Sequence, residues 1–500
     1  MQNTNGPTDQ DKRRFLQHLT LALGAGAVAL VAPPVVGTSF AASLSRADDL
    51  LKKLTDTSLR GRLTTASSPG YDSERNVYDR RYDKRPLVIA YCANSQEVAT
   101  VLALAQEYGI PFAIRSGGHG FTGKSTIDRG VLIDLSRMNK VTVSQDRTSM
   151  TLEPGARTAQ VIATTTQFGK VPVTPTDGHI GLLGSSLFSG QGYLSRLYGN
   201  ACDNVTSAQV MLADGKIVTA SPSENSDLFW AIRGAGDAFG IVLSVEMRLH
   251  DVPKTPMSCS IVYDMSDAMN IMKRYRDHKW TSPMPFPLGG FYIDPESRSP
   301  RLSYLVILLG TPEENQQDID AIARFGAPFV KDIKSTTWLE AHTALPLPMN
   351  KRFYIAGRET EKQDDRTMQL MIEMIEAAAK LPATQGDLTG PIVFFFPNDE
   401  GFARKPAYPA SYGLRGGFEI EPLATWEDPA HDGLFEKWAD DAAAAISKAG
   451  LVSKPPVIAN SRVDVALMRQ SFGSDYDKLV QVKRKYDPKN LFGATTVIEA

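Results

Sequence analysis

Cysteine is scarce. The 500-residue chain holds three, Cys92, Cys202 and Cys259, so at most one bridge can form and a disulfide framework is excluded. Neither HExxH nor CxxC occurs, and the seven histidines are scattered, which argues against a structural zinc site. Net charge is almost absent, with a formal value of −2 at pH 7. No basic field therefore favours nucleic acid, and no acidic excess suggests a solvating tail. The GxSxG elbow of serine hydrolases is missing, as are internal repeats and low-complexity tracts. Past the N-terminal segment, no apolar run reaches the ~18 residues of a membrane-spanning helix. What is present is ordinary globular composition, 42% hydrophobic and 22% charged, which excludes disordered and fibrous classes. At roughly 100–200 residues per domain, the length predicts two or three substructures with large buried cores.

The N-terminal segment stands apart. Lys12, Arg13 and Arg14 precede Phe15 and Leu16, and an Ala/Gly-rich apolar stretch follows from Leu19 to about Val36. Ser39-Phe40-Ala41, followed by Ala42, offers a small-x-small cleavage site. This order predicts an export signal over residues 1–42, and the paired arginines resemble a twin-arginine signal. The expected destination is periplasmic or secreted, with no stable membrane span in the mature chain. The alternative is an N-terminal anchor, but Pro33 and Pro34 break the stretch.

From Leu87 onward, short apolar runs alternate with helical stretches. Leu87–Tyr91 reads as a strand, Ser95–Tyr108 as a helix with Ser95 as N-cap, and Pro111–Arg115 as a second strand, together a βαβ-sized unit. Gly130–Asp134, Met150–Leu152 and Ser207–Leu212 read as further strands. Asp214-Gly215 predicts a hairpin from Ser207–Leu212 into Lys216–Ala220. Ser226 is placed to cap a helix, Asp227–Ile232, that Gly234 closes, and Ile241–Leu249 alternates strictly as a strand. Beyond Pro253 the strands arrive in pairs, Phe291–Asp294 with Leu302–Leu309 and Pro391–Phe396 with Gly416–Glu421. Amphipathic helices are expected at Asp267–His278, Pro312–Arg324, Arg366–Leu381 and Ser474–Lys485. This texture predicts an α+β fold with an antiparallel sheet backed by helices.

Three segments carry chemistry. Arg115-Ser116-Gly117-Gly118-His119-Gly120 follows a strand directly; adjacent glycines let backbone N–H groups approach an anion, and Arg115 adds charge. Gly178–Gly192 reads GHIGLLGSSLFSGQG and suits a backbone laid against a flat or phosphorylated ligand. The third, Asp227–Gly240, is not a dinucleotide fingerprint, because its glycines follow a helix and precede a strand. Taken singly, the first is more often a plain turn and the second a buried loop.

Taken in order, these segments resemble the berberine-bridge-enzyme-like oxidases of the vanillyl-alcohol-oxidase superfamily. The resemblance rests on Arg115–His119, Gly181–Gly199, Asp203-Asn204, Asp227–Gly234 and the closing Tyr486-Asp487-Pro488-Lys489-Asn490-Leu491-Phe492. It implies a two-domain PCMH-type fold. Residues 83–253 would bind FAD, 254–455 would form the substrate domain, and 456–500 would return to the FAD domain. It implies an FAD-linked oxidase that moves a hydride from an alcohol, phenol or amine to FAD, with oxygen as acceptor and hydrogen peroxide as product. The family's histidine anchor for the flavin 8α carbon maps onto His119. The stretch Val173–Gly178, where some members carry a second, cysteine anchor, has no cysteine, so one attachment is expected. The cofactor set implied is Arg115, Ser116, Gly117, Gly118, His119, Gly120, Gly178, Gly181, Gly184, Gly190, Gly192, Tyr193, Gly240, Ile241 and Asn490. The runners-up are a flavin dehydrogenase with another acceptor and a non-catalytic exported binding protein.

The expected base departs from the family. Where many members have Asn-Tyr, this chain has Asn460-Ser461, and the strand Val393–Asn398 carries no tyrosine. The substitutes are Tyr193, Tyr412, Glu419 and Glu421. Phe394 and Phe396 share one face by strand periodicity and would make an apolar wall. That wall favours an aromatic or amine-like substrate over an oligosaccharide. The plainer reading is sheet core for the phenylalanines and a solvated strand face for the acids.

Overall fold

The computed structural model describes residues 36–282, 286–344, 350–381, 390–398, 405–412, 417–454, 460–492 and 497–499. The expected export signal, apart from the start of helix Val36–Thr55, lies outside the described residues, as do Gly416 and the junction at Pro456. The chain divides into Met1–Asp48 and Asp49–Ala500, and every element below belongs to the second unit.

A small parallel sheet comes first. Val88–Tyr91 and Phe112–Arg115 both pair in parallel with Val131–Asp134, which lies between them, and Leu63–Thr64 adds an antiparallel edge. The βαβ unit therefore holds an inserted strand. Every residue of Val131–Asp134 is buried, and a strand buried on both faces belongs in the middle of a parallel sheet. Helix Ser95–Glu107 covers this sheet with Val98, Val101, Leu102 and Ala105. Its N-cap is Asn94 rather than Ser95: the Asn94 side chain accepts from the Glu97 N–H at 3.0 Å.

A five-stranded antiparallel sheet follows, centred on Ile241–Arg248. The Asp214-Gly215 hairpin joins Val205–Met211 to Ile217–Ala220, with Met211 opposite Ile217. Helix Ser226–Ala235 packs nearby, and Asn225, in the left-handed region, occupies its N-cap position in place of Ser226. The closing helix Tyr476–Tyr486 lies against it. Lys478 Nζ sits 3.7 Å from the Trp230 ring centroid, and the Tyr486 hydroxyl donates to Asp227 at 2.8 Å.

Between these segments runs a nine-stranded antiparallel sheet. Helices Ala268–Asp277, Asp365–Ala378 and Asp432–Lys448 cover one face through Ile271, Met371, Ile375, Phe435, Ala439 and Ile446. The expected Pro312–Arg324 helix shortens to Gln316–Ile322, because the Glu314 side chain accepts from the Thr311 N–H and ties the preceding residues into a turn. Strand periodicity decides the rest. Val393, Phe395, Ile420 and Ala424 point into the helices, while Phe394, Phe396, Glu419, Glu421 and Leu423 face the other way.

Candidate active site

That second face roofs a cavity. Neighbouring strands place Phe394 directly across from Glu421 and Phe396 across from Glu419. Ile355, on the next strand, stands across from Leu423. These side chains and Phe353 all line the cavity. The floor comes from two loops, Ser116–Ser125 after the parallel strand Phe112–Arg115 and Pro175–Gln191, with Asp237 beside them.

The two loops meet backbone to backbone. A Cβ on Gly117 would lie 2.7 Å from the Gly181 Cα and N, so only glycine allows this approach. Gly118 adopts φ +68°, which turns the chain towards His119. The Ser116 hydroxyl donates to the Pro154 carbonyl and fixes the loop base. His119 stacks on Tyr78, with ring centroids 3.9 Å apart and planes at 17°. Burial lowers its imidazole pKa to about 4, so it is neutral at pH 7.

Two buried polar atoms at this floor, His119 Nε2 and Ser125 Oγ, have no hydrogen-bond partner among the described residues. Both residues line the cavity, so a bound ligand is positioned to pair them. Together with the glycine crossing they fit FAD. Its holders would be the loops Ser116–Ser125 and Gly181–Gly190.

At the roof, Glu421 hydrogen-bonds Glu419, and burial together with the Glu419 charge holds its pKa well above the ordinary carboxyl value. Glu419 is only 3% exposed. Two carboxyls in contact under an apolar wall share a proton, an arrangement suited to proton transfer. The cavity lining contains Asp177, Asp237, Glu419 and Glu421 but no lysine or arginine among the described residues.

Of the residues singled out in the sequence, Ser116, Gly117, Gly118, His119, Gly120, Gly181, Gly184, Gly190, Phe394, Phe396, Glu419 and Glu421 line the cavity. The others lie off it. Arg115 is held by Asp134 in a buried ion pair at 2.5 Å, so its charge is already matched. Gly178 donates its N–H to the His342 carbonyl, and Gly192 packs against the Thr174 carbonyl. Gly240 abuts Met211 and Ile241 is in the core with Leu243. Asn490 sits in the exposed turn after the closing helix, its N–H donating to Asp487.

Tyr193 is buried with its hydroxyl on the Ala341 carbonyl at 3.0 Å, and burial raises its pKa. Tyr412 is one step behind the cavity and accepts from Gln191 Nε2 at 3.4 Å. Ser461 is stitched to Ile355, donating its N–H to the Ile355 carbonyl and accepting from the Ile355 N–H. Sequence reasoning missed Tyr78, Asp177, Phe353 and Gln191. Gln191 and Asp177 stand in stretches the sequence singles out for their glycines or for a missing cysteine, whereas Tyr78 and Phe353 stand in no quoted motif and only tertiary proximity brings them here.

Comparison with known proteins gives the same picture. Residues 86–221 match the family described as FAD binding domain, and residues 464–499 the family described as berberine and berberine like. An uncharacterised FAD-linked oxidoreductase of Bacillus subtilis is 28% identical over 87% of this chain and 96% of its own length. The (R)-6-hydroxynicotine oxidase of Paenarthrobacter nicotinovorans is 27% identical over 88% of this chain and 97% of its own length. The solved 6-hydroxy-D-nicotine oxidase of Arthrobacter nicotinovorans superposes with a TM-score of 0.77 at 25% identity, covering 86% of this chain and 96% of that one. A xylooligosaccharide oxidase from Myceliophthora thermophila shares the fold with a TM-score of 0.77 at 22% identity, covering 91% and 99%. The two-domain α+β frame, the glycine-crossed floor and these relatives make the chain an FAD-dependent oxidoreductase that is similar to the berberine-bridge-enzyme-like oxidases.

Proposed function

We propose that the chain is an oxidase of amine-type or aromatic small molecules, with FAD attached through His119 and oxygen as the electron acceptor. When bound, FAD supplies the hydride acceptor. The observation that carries the substrate reading is the roof: Phe394 and Phe396 opposite a Glu419–Glu421 carboxyl pair, with no lysine or arginine in the lining among the described residues. A protonated amine gains from the carboxyls, and an apolar body gains from the phenylalanines and Leu288. A bare oligosaccharide would leave those walls without matching polar groups.

Glu419 takes the proton that leaves the substrate N–H or O–H, and Glu421, kept protonated, donates a hydrogen bond that steadies the Glu419 charge. The neutral His119 imidazole has the free nitrogen lone pair that attachment needs. A single anchor is proposed because Cys202 is buried, packed with Tyr412. The N-terminal pattern of Arg13, Arg14 and the apolar stretch supports export, which Arg13→Lys with Arg14→Lys would block if the twin-arginine route is used.

The test is peroxide release over a panel of secondary amines, phenols, aromatic alcohols and oligosaccharides. Turnover of amines or aromatics is expected. Turnover of oligosaccharides alone would overturn the substrate reading, and substrate oxidation without oxygen uptake would overturn the acceptor.

A further inference from the structure

The histidine at the cavity floor is held by a segment that lies ahead of both matched family regions. Residues 78–84 run as a strap between the His119 loop and the strand Arg352–Ile355. On the loop side, the Tyr78 N–H donates to the Gly118 carbonyl at 2.9 Å, the Tyr82 hydroxyl to the Phe121 carbonyl at 3.2 Å, and Lys84 Nζ to the Gly123 carbonyl at 2.9 Å. On the strand side, Asp79 accepts from the Phe353 N–H at 3.1 Å, and the Arg80 N–H donates to the Lys351 carbonyl at 3.0 Å. The strap thus joins the floor of the cavity to the edge of its roof.

Tyr78 is the member of the strap that touches His119. Its ring is 5% exposed and lies face to face with the imidazole, while Phe353 meets the other rim of the tyrosine edge-on at 5.5 Å. The hydroxyl finds no hydrogen-bond partner among the described residues, so within them the side chain meets His119 through its ring alone. Burial raises the phenol pKa and lowers that of the imidazole, so two neutral rings stack and neither is drawn by charge. A flat ring clamped from behind fixes the plane of the ring it stacks on.

We propose that Tyr78 is the positioning residue of His119, setting the imidazole plane from which the flavin is attached. The inference rests on the reading of His119 as the anchor. Attachment forms a bond between an imidazole nitrogen and the 8α carbon, and breaks one C–H bond there and the imidazole N–H. Both hydrogens leave as protons, the two electrons enter the flavin ring, and molecular oxygen takes them with two protons as hydrogen peroxide. The rate of such a step depends on how closely the lone pair is aimed.

The experiment follows the acid-stable flavin of the full chain, freshly purified and during incubation with added FAD, in wild type, Tyr78→Phe and Tyr78→Leu. Tyr78→Phe keeps the stack and should attach within about twofold of wild type. Tyr78→Leu should attach about tenfold slower or worse, while its affinity for FAD before attachment changes by less than about threefold. If Tyr78→Leu does not accumulate folded, Tyr78→Met is read in its place. A packing role alone would lower FAD affinity and melting temperature in parallel with attachment, and that result overturns the inference. So does wild-type attachment in the leucine variant. Wild-type protein that releases all its flavin in acid overturns the anchor reading itself, and the Tyr78 inference falls with it.

Discussion

Glu421 hydrogen-bonds Glu419 two residues along one strand, on the face that roofs the cavity. Burial and the Glu419 charge favour the proton on Glu421, and on the proposed reading Glu419 is the acceptor. Glu419→Gln removes the acceptor and should lower turnover by ~10²–10⁴-fold, the usual worth of a general base. Glu421→Gln keeps a neutral hydrogen-bond donor and should cost about tenfold or less. Steady-state rates on one amine substrate decide. Equal losses in both variants would mean that Glu419 is not the acceptor.

The same pair gives a pH signature in the flavin-free protein. The Glu421 pKa lies above the ordinary 4.5, so the folded state binds the proton more tightly than the unfolded chain does. Its contribution to stability is full below 4.5 and is lost as pH rises towards the folded pKa, by up to about 1.4 kcal/mol per pH unit. His119 runs the other way. Its pKa falls from 6.5 to about 4, so its contribution is full above 6.5 and is lost as pH falls through 4. Melting temperatures of wild type, Glu421→Gln and His119→Ala across that range should diverge in opposite directions. Parallel curves would remove the pair's shared proton from the account.

Flavin retention tests His119 directly. Acid-precipitated, washed wild-type protein should stay yellow, and His119→Ala should come out colourless. Peptide mapping should find flavin on the His119 peptide and none on Cys202, whose thiol is fully buried. Colourless wild type, or a flavinylated cysteine, contradicts the single anchor.

The crossing of Gly117 and Gly181 is a backbone contact, and nothing flexible can give way there. A Cβ on Gly181 would lie 2.9 Å from the Gly117 Cα and N. Gly117→Ala or Gly181→Ala should destabilise the fold by about 1–3 kcal/mol and lower bound flavin, read as melting temperature and absorbance. Gly433→Ala, where an added Cβ meets nothing within 4 Å, is the control and should leave both unchanged.

Much of the floor was legible in the sequence because its glycines are forced by contact, and forced glycines cluster in motifs. Gly117 and Gly181 stand in the two segments that the sequence singles out, and both line the cavity. The roof was half legible. Period two puts Phe394 with Phe396 and Glu419 with Glu421, but which strands lie side by side is a register fact, set by pairing over the whole sheet. Arg115 misled because a charge beside glycines reads as an anion site until its partner Asp134 is seen across the parallel strands. Tyr78 carried no signal, since a stack with a residue 41 positions on leaves no local pattern.

Lys483 supplies the last test, at the join between the closing helix and the cavity. It is fully buried on helix Tyr476–Tyr486, and its Nζ donates to Asp487 Oδ2 and to the Ala238 carbonyl, each at 2.6 Å. Ala238 follows Asp237, which lines the cavity, so the ammonium ties the floor to the C-terminal motif. Burial lowers the lysine pKa, and the Asp487 charge opposes that. Asp487 in turn accepts from the Leu491 and Phe492 N–H groups and closes the final turn. Lys483→Met leaves a buried carboxylate without its cation and should cost about 3–5 kcal/mol, with weaker flavin binding. Adding Asp487→Asn removes that charge while keeping an acceptor for the turn, and should restore part of the stability. Chemical denaturation of the two variants measures both steps. A single-variant cost under about 1 kcal/mol, or no recovery in the double variant, would show that the buried pair does not hold the floor in place.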